Sequence, residues 1–149
     1  MTELEKCIEL KNRGYIYDWI FGVVRNKEGK EVGCFRAGYK GISFSYNKKG
    51  QILKAHRFGW YMFYGKLPQN EIDHINGDRK DNRITNLRDV THQQNNFNKK
   101  AKGYYFHKHA KKFSADIRKD GKNIHLGYFD TEQQAHAAYL EAKKIYHKI

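Results

Sequence analysis

Asp73-His74-Ile75-Asn76-Gly77-Asp78-Arg79-Lys80-Asp81-Asn82-Arg83-Ile84-Thr85-Asn86-Leu87-Arg88-Asp89-Val90-Thr91-His92-Gln93-Gln94-Asn95 decides how this chain is read. A carboxylate stands beside an imidazole. A turn-rich polar loop follows, then a short strand, then Thr91-His92-Gln93-Gln94, which has the capping-box form of Thr at the N-cap and Gln three residues on. A helix is therefore expected from near His92 to about Lys100. A carboxylate and an amide oxygen suit a hard cation such as magnesium. A neutral imidazole beside that cation can take a proton from water. A metal, an activated water and a basic chain together point to phosphodiester hydrolysis. One geometric tension is built in. Asp73 and His74 are neighbours, and neighbours on a regular strand face opposite ways. Either the strand bends here or a scissile phosphate reaches both groups from the edge.

The rest of the chain fits a polyanionic partner. Lysine and arginine number 29 against 16 acidic residues, a net charge of +13. That excess raises self-repulsion and favours nucleic acid. An anionic membrane surface is the alternative, but no long basic amphipathic helix stands out, no apolar run reaches spanning length, and the N-terminus lacks a signal-peptide core. A cytoplasmic protein is the expectation. Mean hydropathy is −0.94 over 149 residues, so several small modules with modest cores are expected instead of one large core. Aromatics reach 15%, which excludes a disordered polycation. Cys7 and Cys34 form no close pair, so a paired-cysteine zinc site is excluded and two reduced, partly buried thiols are expected.

Working outward, residues 2–12 place Leu4 and Ile8 at helical spacing. From Tyr15 to Leu53, aromatic and β-branched runs alternate with glycine turns, as hairpins do. Within them Ile42, Phe44 and Tyr46 share one face and Ser43 and Ser45 the other. Residues 55–64 read as a buried helix ending at Gly65. Behind the quoted stretch, Ala101-Lys102-Gly103 is a candidate boundary. Residues 103–107, 113–118 and 123–129 then read as three antiparallel strands, with Asp120-Gly121 as a turn. Thr131-Glu132-Gln133-Gln134 is a second capping box, opening a helix through Ala135, Ala138, Tyr139, Ala142, Ile145 and Tyr146. The resulting domains are 1–54, a β-rich segment; 55–100, the core around the quoted stretch; and 101–149, a βββα module.

Two resemblances add to this reading. His56-Arg57-Phe58-Gly59-Trp60, Asp73-His74-Ile75-Asn76-Gly77-Asp78, Asp81-Asn82-Arg83, Asn86-Leu87-Arg88 and Asn95-Asn96 form an ordered series. It resembles the HNH homing endonucleases of phages. Phe113-Ser114-Ala115-Asp116-Ile117-Arg118, His125-Leu126-Gly127-Tyr128-Phe129-Asp130-Thr131, Ala135 and Ala137-Ala138-Tyr139 resemble the DNA-binding domain of plant ethylene-response factors. That match departs in the first strand, where Tyr105, His107 and Lys108 replace arginines. The fold inference carries over and the base-reading preference does not.

The first resemblance implies an α+β chain with a ββα-metal (His-Me finger) core and metal-dependent cleavage of double-stranded DNA. It places Asp73 and Asn95 as metal ligands, His74 as general base, and Asn86 as the residue holding the loop between the strands. Asn96 is a rival for the role of Asn95. Asp81 and Asn82 are expected to shape the loop, and His56 to be structural or DNA-adjacent. Magnesium is the expected cofactor, manganese an alternative, and neither zinc nor a small-molecule cofactor is expected. In the C-terminal module Tyr105, His107, Ser114, Arg118, Asn123 and His125 are expected on the outer face of the sheet, where a major groove can be read. Lys108, Lys111, Lys112 and Lys122, with Lys119, are expected to bind phosphates. Other readings of the same features are a DNA-binding protein with an inactive nuclease centre and an RNA-binding module.

Overall fold

The computed structural model describes residues 1–99 and 101–148. Packing divides the chain into two compact units, Met1–His92 and Gln93–Ile149. The fold is α+β throughout, made of small antiparallel sheets and short helices. Among the described residues no helix is long and apolar enough to cross a membrane.

The first unit opens with helix α1 (Glu3–Asn12). Thr2 caps it, accepting a hydrogen bond from the Glu5 N–H while the Glu5 carboxylate accepts one from the Thr2 N–H. Strands β1 (Ile16–Asp18), β2 (Val23–Arg25) and β3 (Glu31–Val32) form one antiparallel sheet. A second contains β4 (Cys34–Arg36), β5 (Tyr39–Tyr46) and β6 (Lys49–Lys54). In β5 the alternation brings Phe44 inside and leaves Ser45 exposed, with Ile42 fully buried. Ser43 is exposed like Ser45, as the alternation expects, and Gly41 is buried beside Ile42. Helix α2 (Ala55–Tyr64) lies on these strands and stops at Gly65, where a φ of 71° lets the amide return to Tyr61. The core joins α1, the sheets and α2 through Cys7, Leu10, Val24, Ile42, Phe44, Leu53, Ala55 and Phe58. A fully buried large apolar side chain contributes about 1.5–3 kcal/mol. The two free cysteines differ, contrary to expectation. Cys7 is fully buried, its thiol pushed up to about 12 mainly by burial, while Cys34 is exposed.

Strands β7 (Glu71–His74) and β8 (Leu87–Val90) pair antiparallel, Asp73 opposite Arg88 and His74 opposite Leu87. A second cluster of Trp60, Ile72, Ile84 and Leu87, with Tyr17 against it, seats this hairpin on α2. The fit is close at two glycines. A Cβ on Gly59 would lie 2.7 Å from the Tyr17 ring, and one on Gly22 would lie 2.3 Å from the Arg83 nitrogen. The Tyr17 hydroxyl donates to the Asn82 carbonyl at 2.5 Å. The N-terminal strands thus buttress the loop between β7 and β8. Helix α3 (His92–Asn98) completes the ββα order. Lys100, the expected end of this helix, lies outside the described residues.

The second unit holds the sheet β9 (Tyr104–His107), β10 (Lys112–Lys119) and β11 (Lys122–Phe129), with β10 central, and helix α4 (Glu132–Tyr146). Thr131 and Gln134 form the expected capping box. Ile117, Tyr139 and Ala142 make the core with Ile124, Leu126 and Tyr146. Gly103 is required here: its φ is 69°, and a Cβ would sit 2.0 Å from the Tyr139 ring.

Candidate active site

The loop between β7 and β8 is held by its own polar side chains. Asn86, 7% exposed, is at its centre. Its Oδ1 accepts from the Asn76 amide at 3.0 Å, and its Nδ2 donates to the Asp81 carbonyl at 2.8 Å and to Asn76 Oδ1 at 3.0 Å. Asn76 Oδ1 accepts from the Asp78 amide, and Asp78 Oδ1 from the Lys80 amide. These are the short local loops that Asx residues make in turns. The Asp81 carboxylate takes bonds from Arg83 and from Asn76 Nδ2. Chiefly through Arg83, its pKa is lowered to about 2.

His74 ends β7 and is 4% exposed. Its Nε2 lies 3.0 Å from Asn82 Oδ1. Asn82 is itself 1% exposed, so the pair is enclosed. The His74 ring meets that of His56 edge-on at 5.2 Å, and Tyr39 lies 5.3 Å from His56 and 6.2 Å from His74. Burial, then the charge of His74, Lys54 and Arg57, lowers the His56 pKa to about 3, so His56 is neutral at pH 7. Its Nδ1 is buried with no hydrogen-bond partner among the described residues.

Asp73, 6% exposed, has a different neighbour. Arg88 donates to its Oδ2 through Nε at 2.9 Å and Nη2 at 2.7 Å. The tension between adjacent strand residues is therefore real. Asp73 meets the cross-strand arginine, and His74 meets α2 and the loop. Asn95 lies on α3 and belongs to the second compact unit. Asp73 and Asn95 offer only oxygen as metal donors. Taken singly, a carboxylate or an amide oxygen is the kind of donor that suits a small hard cation keeping several of its waters. Among the described residues, no three His, Cys, Asp or Glu side chains gather as a metal cage.

The outer face of the C-terminal sheet carries Tyr105, His107, Arg118, Asn123 and His125, with Arg118 opposite Asn123. Ser114 corrects the expectation. It shares that face but is 1% exposed, flanked across the ladders by Tyr105 and Tyr128. Its Oγ lies 3.4 Å from both Asp116 and His125, so it holds neighbours instead of reaching a groove. His125 pairs with Asp116 at 2.9 Å, and His107 Nδ1 accepts from the Ala110 amide. Lys112 pairs with Asp130 at 3.1 Å. Lys108, Lys111 and Lys122 are exposed. Lys119 instead lies over the Tyr146 ring.

Three contacts escaped the sequence: Arg88 on Asp73, Asn82 on His74, and Tyr39 against both histidines. Strand register would have exposed the first. The other two depend on how the loop closes and how separate segments pack, and left no local signal.

Residues 53–97 match the family model described as HNH endonuclease. Asp73, His74, Asn86 and Asn95 all fall within that stretch. The chain is also similar to a solved structure, reported for DNA binding and cleavage by the HNH homing endonuclease I-HmuI. The two are 25% identical over 85% of this chain and 78% of that one, with a TM-score of 0.51. No curated protein sequence matches. The chain thus resembles HNH endonucleases in sequence across its ββα core and in fold across most of its length, which supports a DNA endonuclease.

Proposed function

We propose that the protein is a divalent-metal-dependent endonuclease that hydrolyses phosphodiester bonds in duplex DNA. His74 is its general base. The observation that carries the reading is the bond between His74 Nε2 and Asn82 Oδ1. An amide oxygen only accepts, so the ring donates from Nε2, which makes Nδ1 the basic nitrogen of the imidazole. Asn86 fixes the loop that carries Asn82, and Tyr17 holds the Asn82 carbonyl, so the imidazole is oriented before substrate arrives. The resemblance to HNH endonucleases assigns Asp73 and Asn95 as the ligands of the cation, most simply magnesium, with manganese as a substitute. When bound, the cation neutralises charge at the phosphate and assists the leaving 3′ oxygen. The C-terminal sheet, through Arg118, Asn123 and the exposed lysines, grips the duplex.

The test is cleavage of supercoiled plasmid with magnesium, with excess chelator, and by His74→Ala. General-base loss costs ~10² to 10⁴ in rate. Chelator abolishes cutting, and Asp73→Ala or Asn95→Ala raises the magnesium concentration required. A His74→Ala protein that cuts within a few-fold of wild type overturns the assignment of the base. Full activity in excess chelator overturns the metal.

A further inference from the structure

Two cations converge on Tyr39. Lys54 Nζ lies 4.6 Å and Arg79 Cζ 4.7 Å from its ring centroid. The same ring packs against His56 and His74. The arrangement is built by the backbone. Ala37 and Gly38 both have positive φ, so the chain turns tightly between β4 and β5 and presents Tyr39 at the first position of β5. The Arg79 side chain lies against that turn, 3.5 Å from where a Cβ on Gly38 would stand. Lys54 enters from the end of β6, immediately before α2.

Like charges beside one ring repel, and among the described residues neither of these makes an ion pair. The carboxylates of the β7–β8 hairpin are engaged elsewhere: Asp73 with Arg88, Asp81 with Arg83, and Asp78 with the Lys80 amide. Two exposed cations held against one aromatic ring, which itself packs against the candidate base, call for an anion from outside.

We propose that Lys54 and Arg79, positioned by Tyr39, clamp the DNA phosphate being cleaved beside His74. This rests on the endonuclease reading and gives that site its substrate-side contacts. Arg79 offers a planar fork to two phosphate oxygens, and Lys54 a point charge. Both stabilise the charge that grows on the phosphate as its bond breaks.

The test measures duplex binding at several salt concentrations, and single-turnover cleavage at saturating protein, for wild type and Lys54→Gln/Arg79→Gln. Each phosphate contact contributes about 0.9 to the slope of log affinity against log salt, so the double variant loses roughly two. Its saturated cleavage rate falls at least ~10-fold, somewhat less than the loss when one preorganised oxyanion donor is removed. Arg79→Lys, which keeps the charge, restores slope more than rate. Both side chains are exposed, so thermal melting is unchanged. An unaltered slope overturns the clamp. A reduced slope with an unaltered saturated rate overturns its placement at the reacting phosphate. A wild type that never cuts, while the double variant still loses slope, defeats the endonuclease reading and leaves the phosphate grip standing.

Discussion

The β7–β8 loop and the C-terminal sheet are both rich in polar residues, but they use them in opposite directions. In the loop the polar groups turn inward. Asn86 ties together Asn76 and Asp81, Arg83 covers Asp81, Arg88 covers Asp73, and Asp89 accepts from the amides of Gln69 and Asn70. In the sheet, Arg118, Asn123, Lys108, Lys111 and Lys122 turn outward, and none of these lysines forms an ion pair among the described residues. A closed network fixes the position of one imidazole, which chemistry needs. An open array fixes only a field and a shape, which is what gripping a polyanion needs.

That contrast is broken most severely by removing one side of it. Deleting residues 103–149 leaves the β7–β8 network intact and removes the outward lysines. Lys108, Lys111, Lys112 and Lys122 contribute about 0.9 each to the salt slope when each holds a phosphate. The truncated protein therefore loses roughly three, because Lys112 is already engaged with Asp130. At near-physiological salt its affinity falls on the order of 10²-fold or more. Binding isotherms across a salt series measure this. An unchanged slope would mean that the sheet serves a partner other than DNA.

A smaller effect comes from acid, and it falls on one unit only. His56 titrates near 6.5 in an unfolded chain and at about 3 when folded, first because it is buried and then because His74, Lys54 and Arg57 stand close enough to oppose a charge on its ring. The unfolded state therefore binds the proton first. Stability from this group is complete above about 6.5 and is lost as pH falls towards 3. The loss amounts to a few kcal/mol, since each tenfold weakening of proton binding is worth about 1.4 kcal/mol. Both tryptophans, Trp19 and Trp60, lie in the first unit. Melts followed by tryptophan fluorescence should therefore soften between about pH 6.5 and about pH 4 in wild type. His56→Gln, which carries no titrating ring, should soften less over the same range. Equal acid sensitivity in both proteins would remove His56 as the cause.

The same contrast explains what could be read in advance. Thr131 with Gln134 announces α4, and the alternation of Phe44, Ser45 and Tyr46 announces β5, because capping and pleat are local and leave periodic marks. The order from Asp73 to Asn95 announces the ββα core for a similar reason: loop, strand and helix follow one another without interruption. The side chains that complete the site leave no such mark. Tyr39 reaches His74 from β5, and Tyr17 reaches Asn82 from β1, through contacts that only the packed hairpins create. Ser114 departs from expectation for another reason. Alternation assigns its face, but alternation cannot show that larger cross-strand neighbours cover a small side chain. The strands also slip register between Ala115 and Asp116, bringing His125 opposite Asp116 and both within reach of the Ser114 hydroxyl.

The finest test of the outward face separates its members. Arg118 is exposed and stands opposite Asn123, so both can present hydrogen-bonding groups to base edges. Arg118→Ala should cost about 1–3 kcal/mol on the preferred duplex and little on a random one, which relaxes sequence preference. Lys111 sits in the turn before β10 with a positive φ of 51° and an exposed side chain. Lys111→Ala should weaken both duplexes alike and lower the salt slope by about 0.9. Ser114→Ala should change neither, because its hydroxyl is covered and its 3.4 Å contacts to Asp116 and His125 are weak. Competition binding with specific and random duplexes reads all three. If Ser114→Ala matched Arg118→Ala in relaxing preference, the face would be read through the Asp116–His125 pair that Ser114 touches. The line between an inward network in the loop and an outward array in the sheet would then have to be redrawn.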